Sequence, residues 1–232
     1  MREATYNVLS RLRRGIIISC QAEGDDPFNE PEYIALFARA AEMGGAVGIR
    51  AREVENIQAV CEAVSLPVIG ITKGEFADGS VLITPDFSDV GSVISAGATI
   101  VAVDATQRTR PNGLTGKEFV AALRKRWDIP VMADVSTLEE GLAAEEAGAD
   151  IIGTTLAGYT PYTTKLSEDE PDWELLAALA QQAKTPIIAE GRIWCPDQAK
   201  RAFDLGAHAV VVGTAITRPR VVTRRFVDAV GG

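Results

Sequence analysis

The stretch PIIAEGRIWCPDQAKRAFDLGAHAVVVGT, residues 186–214, decides the fold. It begins with a proline and a short apolar run, continues through a helix-length segment, and reaches a Gly-Ala step before a second apolar run. Pro196 suits the first turn of a helix, which places that helix over 196–205. The two apolar runs are almost free of polar residues, as is typical of parallel strands that are covered on both faces. The stretch therefore predicts one strand-helix-strand unit of a parallel sheet.

The same two markers recur along the chain. Proline-hydrophobic pairs occur at Pro67-Val68, Pro130-Val131 and Pro186-Ile187, and Gly-Ala steps occur at Gly45-Ala46, Gly97-Ala98, Gly148-Ala149 and Gly206-Ala207. Each series returns after roughly 50 to 65 residues, which is about the length of two strand-plus-helix units. We therefore expect repeated βα units arranged in a ring.

Apolar and amphipathic segments give the predicted elements. Apolar runs bounded by turn residues predict strands over 15–20, 46–50, 67–72, 99–105, 130–135, 151–156, 186–190 and 209–214. Amphipathic stretches predict helices over 31–43, 52–64, 86–96, 115–126, 137–147, 173–183, 196–205 and 219–230. Capping boxes are predicted at Thr115 with Glu118 and at Ser136 with Glu139. Eight units favour a single (β/α)8 barrel domain over 1–232, and an open doubly wound sheet is the alternative.

The composition limits the class of partner. The net charge of -9 argues against nucleic acid or an anionic membrane, because neutralising many phosphates requires a broad basic face. A small phosphorylated ligand requires only a local cluster of donors. The three cysteines, Cys20, Cys61 and Cys195, are scattered without CxxC spacing and are expected to be reduced thiols. With no signal-peptide core and no apolar run of about 18 residues, the expected location is the cytoplasm.

Polar residues follow the apolar strands at their carboxyl ends, where a barrel of this kind carries its active site. They are Ser19-Cys20-Gln21, Arg50, Lys73, Asp104-Ala105-Thr106, Asp134, Glu190-Gly191-Arg192 and Gly213-Thr214-Ala215. Glu190 comes directly after a buried run, where an unpaired carboxylate would be costly, and this favours a functional role. Asp134 is not needed as a helix cap if Ser136 forms the box. For Lys73 and Asp104, structural and functional roles are both open.

The single histidine, His208, is expected at the opposite end of the barrel in a structural role. A base that works near neutral pH must then be a lysine or a carboxylate with a shifted pKa. No set of His, Asp and Glu has metal-ligand spacing, so no metal is expected. Cys20 is expected to pack in the barrel wall. Cys195 is a weak candidate for a nucleophile, because no histidine is near it in the sequence.

A phosphate site is the clearest chemical signal. Gly191 and Gly213 place flexible backbone after strands seven and eight, where barrel enzymes commonly bind phosphate. Arg192 or Arg218 can add charge-assisted hydrogen bonds. The alternative is that these glycines only form tight turns between strands and helices.

Eight sequence blocks match a known family. They are GIIISCQA, VGIR, PVIGITK, DAT followed by arginines and Pro111, MADVST, GTTLAGYT, IIAEGRI and VVVGTAITRP. In this order, from about Gly15 to Pro219, the chain resembles N-acylglucosamine-6-phosphate 2-epimerases, also called N-acetylmannosamine-6-phosphate 2-epimerases. The resemblance implies a (β/α)8 barrel without metal or organic cofactor. It also implies an isomerase that interconverts N-acetylmannosamine-6-phosphate and N-acetylglucosamine-6-phosphate by proton transfer at C2, in sialic acid catabolism.

The resemblance also implies roles for individual residues. Lys73 of GITK corresponds to the family's catalytic lysine, and Glu190 of AEGRI to its catalytic carboxylate. Substrate contact or orientation is implied for Gln21, Arg50 and Asp134, and phosphate binding for Gly191, Arg192, Gly213, Thr214 and Arg218. The expected partner is a phosphorylated amino sugar, and barrels of this kind often form homodimers. The loop 157–172 is more acidic than the family pattern and is the better candidate for a lid.

Three other functions remain open at this point. Lys73 could form a Schiff base with a sugar aldehyde, as in an aldolase. A decarboxylase of the ribulose-phosphate-binding group is disfavoured, because those enzymes show an Asp-x-Lys pattern and Ile71 stands in the place of that Asp. A sugar-phosphate sensor would bind without turnover, but the presence of both Lys73 and Glu190 argues against it.

Overall fold

The computed structural model describes residues 3–78, 80–163, 167 and 169–231. The strands are β1 Ile16–Cys20, β2 Gly48–Arg52, β3 Val68–Ile71, β4 Lys73–Glu75, β5 Val81–Ile83, β6 Ile100–Asp104, β7 Val131–Asp134, β8 Ile151–Gly153, β9 Ile187–Glu190 and β10 Ala209–Val212. The helices are α1 Glu3–Leu12, α2 Pro31–Met43, α3 Val54–Ala63, α4 Phe87–Ser95, α5 Gly116–Arg126, α6 Leu138–Glu146, α7 Trp173–Gln182, α8 Pro196–Asp204, α9 Thr214–Thr217 and α10 Pro219–Ala229. Within these residues, every helix is too short or too polar to cross a membrane.

Eight of the strands form a closed parallel barrel. Their order around the ring is β1, β2, β3, β6, β7, β8, β9, β10, and β10 pairs back onto β1 with Val210 opposite Ile16. A helix follows each barrel strand along the chain. This closure confirms the predicted (β/α)8 barrel and overturns the open doubly wound sheet.

The long connection after β3 contains an antiparallel hairpin. Lys73 of β4 pairs with Ile83 of β5, and the hairpin lies between β3 and α4. The sequence predicts only a long connection here, because β4 and β5, at three residues each, are too short for an apolar periodicity to show. The hairpin matters for function because its first residue is Lys73.

The alternation of side chains divides the core into two layers. Ile17, Ile69, Ile100 and Met132 belong to a cluster inside the barrel, and a larger cluster fills the space between the strands and the outer helices. Helix α1, which was not predicted, adds the fully buried Leu12 to the inner cluster. The amino-terminal end of the barrel is therefore covered by apolar side chains, and the opposite end is left for polar ones.

The observed boundaries agree closely with the predicted ones. The largest differences are in strand two, predicted over 46–50 and observed as Gly48–Arg52, and in strand six, predicted over 151–156 and observed as Ile151–Gly153. Residues 164–166 and 168 of the candidate lid 157–172 lie outside the described residues.

One predicted capping box is wrong. The cap of α6 is Thr137, whose side chain accepts a hydrogen bond from the Glu140 amide, and not Ser136 with Glu139. Both pairs have the same spacing, so the spacing alone did not discriminate between them. Glu140 is buried and also accepts hydrogen bonds from the amide and hydroxyl of Ser136. A helix start at Thr137 therefore gives the Glu140 carboxylate additional hydrogen-bond donors. The predicted box at Thr115 and Glu118 is confirmed.

Two glycines provide a matched test of the packing. A Cβ on Gly116 would lie 2.3 Å from the carbonyl carbon of Ala105, directly after β6, whereas a Cβ on Gly91 in α4 would meet no atom within 4 Å. We expect Gly116→Ala to lower the free energy of unfolding by about 3 kcal/mol, because backbone cannot move aside as a flexible side chain can. Gly91→Ala should raise it by about 0.5–1 kcal/mol through helix propensity. Urea denaturation measures the free energy of unfolding of both variants. An unchanged value for Gly116→Ala would contradict the close approach of Gly116 to Ala105.

Candidate active site

A cavity of about 880 Å³ lies at the carboxyl ends of the barrel strands. Nine of the ten predicted site residues line it: Gln21, Arg50, Lys73, Glu190, Gly191, Arg192, Gly213, Thr214 and Arg218. The tenth, Asp134, has no exposed surface and lies behind Arg50. The rule that strand ends carry the site therefore places these residues together, as predicted.

Arg50 of β2 is the centre of the buried charges. Its guanidinium donates two hydrogen bonds to Asp134, at 2.6 and 3.2 Å, and a third to Glu190 Oε2 at 3.0 Å. Thr155 completes the group by donating to Asp134 at 2.6 Å. The neighbouring carboxylates raise the pKa of Arg50, although its burial opposes them, so this cation is permanent. Asp134 therefore acts on the cavity through Arg50, which it holds in one orientation.

Glu190 ends β9 with its backbone fixed and its carboxyl largely buried, 12% of the side chain being exposed. Its amide and carbonyl both bond the Thr154 hydroxyl at 3.0 Å, which fixes the strand end. Burial raises the pKa of the carboxyl to about 7; the Arg50 cation opposes this shift, and the nearby Asp134 charge adds to it. At neutral pH, Glu190 is therefore divided between its acid and its base form, as a proton-transfer group requires.

Lys73 lies on the other side of the cavity. It begins β4, two residues beyond the end of β3, and β3 and β9 are opposite each other in the eight-stranded ring. The Lys73 ammonium donates a hydrogen bond of 2.5 Å to the carboxylate of Glu23. Its positive charge also acts to lower the pKa of Glu190, against the effect of burial. The site thus has a lysine and a carboxyl that approach the same space from opposite walls.

The loop after β9 has the backbone freedom expected of a phosphate site. Gly191 has a φ of 110°, in the region that favours glycine, and Arg192 has a φ of 56°. The Arg192 side chain donates to the carbonyls of Ala157 and Glu170, at 3.0 and 2.7 Å. Arg192 therefore both lines the cavity and braces the loop that follows β8.

A second backbone segment, after β10, faces the same end of the cavity. Gly213 precedes the short helix α9, which begins at Thr214. Arg218 follows this helix and donates from Nε to the carbonyl of Gln21 at 3.3 Å, while Gln21 itself donates to Ser19 at 2.7 Å. The predicted phosphate-binding residues therefore form one polar rim with the loop after β1.

Several candidates from the sequence lie elsewhere. His208 bonds the Leu9 carbonyl at 2.8 Å at the amino-terminal end of the barrel, as expected of a structural residue. Cys195 is exposed at the start of α8 and does not line the cavity. Asp104 is buried outside the cavity lining, where it accepts hydrogen bonds from Thr106 and pairs with Arg108. In the part of the chain that the structure describes, no group of three or more His, Cys, Asp or Glu side chains is arranged to hold a metal.

Comparison with known families decides the assignment. The model of the NanE family, described as "Putative N-acetylmannosamine-6-phosphate epimerase", matches residues 34–232. The chain belongs to this epimerase family. Its members include proteins named "Putative N-acetylmannosamine-6-phosphate 2-epimerase" from Caldanaerobacter subterraneus subsp. tengcongensis, 50% identical over 95% of this chain and 93% of that protein, and from Cutibacterium acnes, 47% identical over 97% of both. The resemblance inferred from the eight sequence blocks is confirmed.

A solved structure of the N-acetylmannosamine-6-phosphate 2-epimerase from Clostridium perfringens supports both family and fold. It is 43% identical to this chain, covers 95% of each chain, and superposes with a TM-score of 0.89. The epimerase family and the barrel architecture are therefore established independently of the site geometry.

Three residues of this epimerase-family site were not predicted from the sequence. Thr154 and Thr155 directly follow β8, but the strand predicted over 151–156 placed both of them inside the strand and not at its end. Glu23 lies in the acidic loop after β1, where the sequence alone indicates only a solvated carboxylate. Its three cationic partners come from distant parts of the chain, and no local pattern reveals them.

Proposed function

We propose that this chain is an N-acetylmannosamine-6-phosphate 2-epimerase, which interconverts that sugar and N-acetylglucosamine-6-phosphate in amino-sugar and sialic acid catabolism. The observation that carries the proposal is the opposed pair of Lys73 and Glu190 in one cavity of an epimerase-family barrel. The free cysteines suit a reducing compartment, and we place the reaction in the cytoplasm.

The chemistry requires removal and return of one proton. In the open-chain form of the sugar, C1 is an aldehyde, and the hydrogen on C2 is α to a carbonyl. Its removal gives an enolate, and a proton returned to the opposite face of C2 inverts that carbon. Two proton-transfer groups on opposite sides of the sugar achieve this without turning the substrate over. The position of Lys73 and Glu190 on opposite walls of the barrel supports their assignment to these two roles.

Charge balance explains why Glu190 can carry a proton. Arg50 supplies one positive charge and faces two carboxylates, Asp134 and Glu190, in a region shielded from water. The group is neutral when Glu190 is protonated, and burial raises the pKa of Glu190 to about 7. When Glu190 gives up its proton, the Arg50 cation is already in place to stabilise the resulting charge.

The cavity wall formed by the loops after β9 and β10 and by Arg218 would hold the substrate phosphate. The glycine backbones after β9 and β10 permit close approach of a phosphate, and Arg218 supplies a charged donor. Binding energy gained here fixes the sugar so that C2 lies between Lys73 and Glu190.

Arg218 provides a test of this binding role. We expect Arg218→Leu to raise the KM for the sugar phosphate by about 10- to 100-fold with kcat little changed, since a hydrogen bond to a charged group contributes about 1.5–3 kcal/mol. Arg220→Leu is the matched control, because Arg220 pairs with Asp25 outside the cavity. Steady-state kinetics of the two variants give kcat and KM for each. A loss of kcat at unchanged KM would mean that Arg218 acts in the chemical step.

The proposed activity is tested by following N-acetylmannosamine-6-phosphate with the purified protein by proton NMR in water. Conversion to N-acetylglucosamine-6-phosphate, and the same final mixture from either sugar, is the expected result. Binding without conversion would instead support a sugar-phosphate sensor. Cleavage of the sugar, with inactivation by borohydride only when substrate is present, would support an aldolase-like Schiff base on Lys73.

A further inference from the structure

We propose that Glu23 makes this site selective for phosphorylated sugars, because its carboxylate occupies the point where three cations converge and only a dianionic group displaces it. The inference rests on the proposed function for the identity of the substrate. It concerns a residue outside the predicted catalytic and phosphate-binding sets, in the loop after β1.

The geometry around Glu23 is that of an anion site that is already filled. One oxygen, Oε1, lies 2.5 Å from Lys73 Nζ and 3.3 Å from a terminal nitrogen of both Arg52 and Arg218. These cations come from β4, β2 and the segment after α9, so the loop carboxylate joins three separate parts of the barrel mouth. Glu23, Lys73 and Arg218 all line the cavity, which places this convergence point within reach of a substrate.

The carboxylate is ionised whenever the enzyme works. Partial burial favours the protonated acid, but the hydrogen bond and charge of Lys73, together with the charges of Arg218 and Arg52, prevail and lower the pKa of Glu23 to about 2. The side chain is 39% exposed and lies outside any helix or strand. The carboxylate can therefore turn toward solvent without disrupting a helix or strand.

Displacement follows from charge. A sugar phosphate that reaches Arg218 brings about two negative charges and three acceptor oxygens close to a carboxylate of the same sign. The phosphate satisfies Arg218, repels Glu23, and so frees Lys73 from its ion pair. An unphosphorylated sugar offers only a neutral hydroxyl in this place, which cannot replace an ion-paired carboxylate. Lys73 then stays bound to Glu23 and unavailable to C2.

The deciding experiment measures binding of inorganic phosphate by isothermal titration calorimetry. The variants are Glu23→Gln, which keeps the shape and removes the charge, and Asp25→Asn, a control in the same loop whose partner is Arg220. We expect Glu23→Gln to bind phosphate roughly tenfold more tightly than the unmodified protein, since a competing charge a few ångströms away is gone. Asp25→Asn should stay within about twofold. Equal affinity in Glu23→Gln and the unmodified protein, or weaker binding in Glu23→Gln, overturns the proposal.

A second measurement tests selectivity directly. The ratio of kcat/KM for N-acetylmannosamine-6-phosphate to that for N-acetylmannosamine is expected to fall by roughly tenfold in Glu23→Gln, through faster turnover of the unphosphorylated sugar. An unchanged ratio contradicts the proposal even if phosphate binding changes. The calorimetric measurement requires no turnover, so it decides the role of Glu23 even if the protein fails to epimerise any sugar.

Discussion

Glu190→Gln is expected to lower kcat by about 10²- to 10⁴-fold while the barrel stays folded, because glutamine keeps the shape of the protonated carboxyl and cannot transfer its proton. KM should change little, since the phosphate end of the cavity is untouched. Glu139→Gln, which removes an exposed carboxylate from α6, is the matched control and should keep full activity. Steady-state assays of the two variants give the comparison, and near-normal turnover in Glu190→Gln would remove Glu190 from the mechanism.

The same substitution should change stability with pH. Burial raises the pKa of Glu190 from 4.5 to about 7 in the folded protein, so the folded state binds this proton more tightly than the unfolded chain does. The resulting stabilisation is complete below pH 4.5 and is lost as the pH rises through about 7. It amounts to up to about 3 kcal/mol. Glu190→Gln has no carboxyl to ionise at this position and therefore keeps this stabilisation at high pH. In urea denaturation, the free energy of unfolding of Glu190→Gln minus that of the unmodified protein should be larger at pH 8 than at pH 5. Equal pH dependence in both proteins would mean that Glu190 ionises normally.

Lys73→Met is the second substitution with a large expected effect. It keeps most of the length of the side chain and removes the amine, and we expect kcat to fall by about 10²- to 10⁴-fold. Lys117→Met is the control, because Lys117 is an exposed lysine of α5 that pairs with Glu146. A double variant with Glu190→Gln should be about as inactive as the worse single variant, since residues that act as a unit are not additive. Losses that multiply in the double variant would indicate independent roles.

The two single variants should also differ in what they retain. If Lys73 and Glu190 serve opposite faces of C2, each variant keeps the group that removes the proton from one of the two epimers. In D₂O, each variant should then exchange the C2 hydrogen of one epimer only, without forming the other. Exchange from both epimers in the same variant would place both steps on a single group.

Much of the fold was predictable because its signals are local. Each barrel strand is an apolar run with a turn at both ends, and helix starts such as Pro196 and Thr115 are marked by their own residue types. The elements that were missed have weak signals or none. Helix α1 has buried positions at helical spacing, Thr5, Leu9 and Leu12, but they are few and no apolar run marks the segment. Strands β4 and β5 are three residues each, too short for a periodicity.

The site was predictable where chemistry coincides with a strand end. Glu190 ends β9 and Lys73 lies two residues beyond β3, whereas the observed β2 continues to Arg52 and makes Arg50 its middle residue. The structure brings all three into one cavity. What could not be predicted depends on contacts between distant segments. That Asp134 lies behind Arg50, and that Glu23 joins three cations, are consequences of barrel closure and leave no trace in the neighbouring sequence.

The most direct test of the account is proton NMR of the protein with N-acetylmannosamine-6-phosphate in D₂O, following the hydrogen on C2. The proposed mechanism predicts N-acetylglucosamine-6-phosphate that carries deuterium at C2, because the proton returned to that carbon comes from groups that exchange with solvent. Product that retains its original C2 hydrogen without exchange, or phosphate binding with neither product nor exchange, would contradict epimerisation by proton transfer between Lys73 and Glu190.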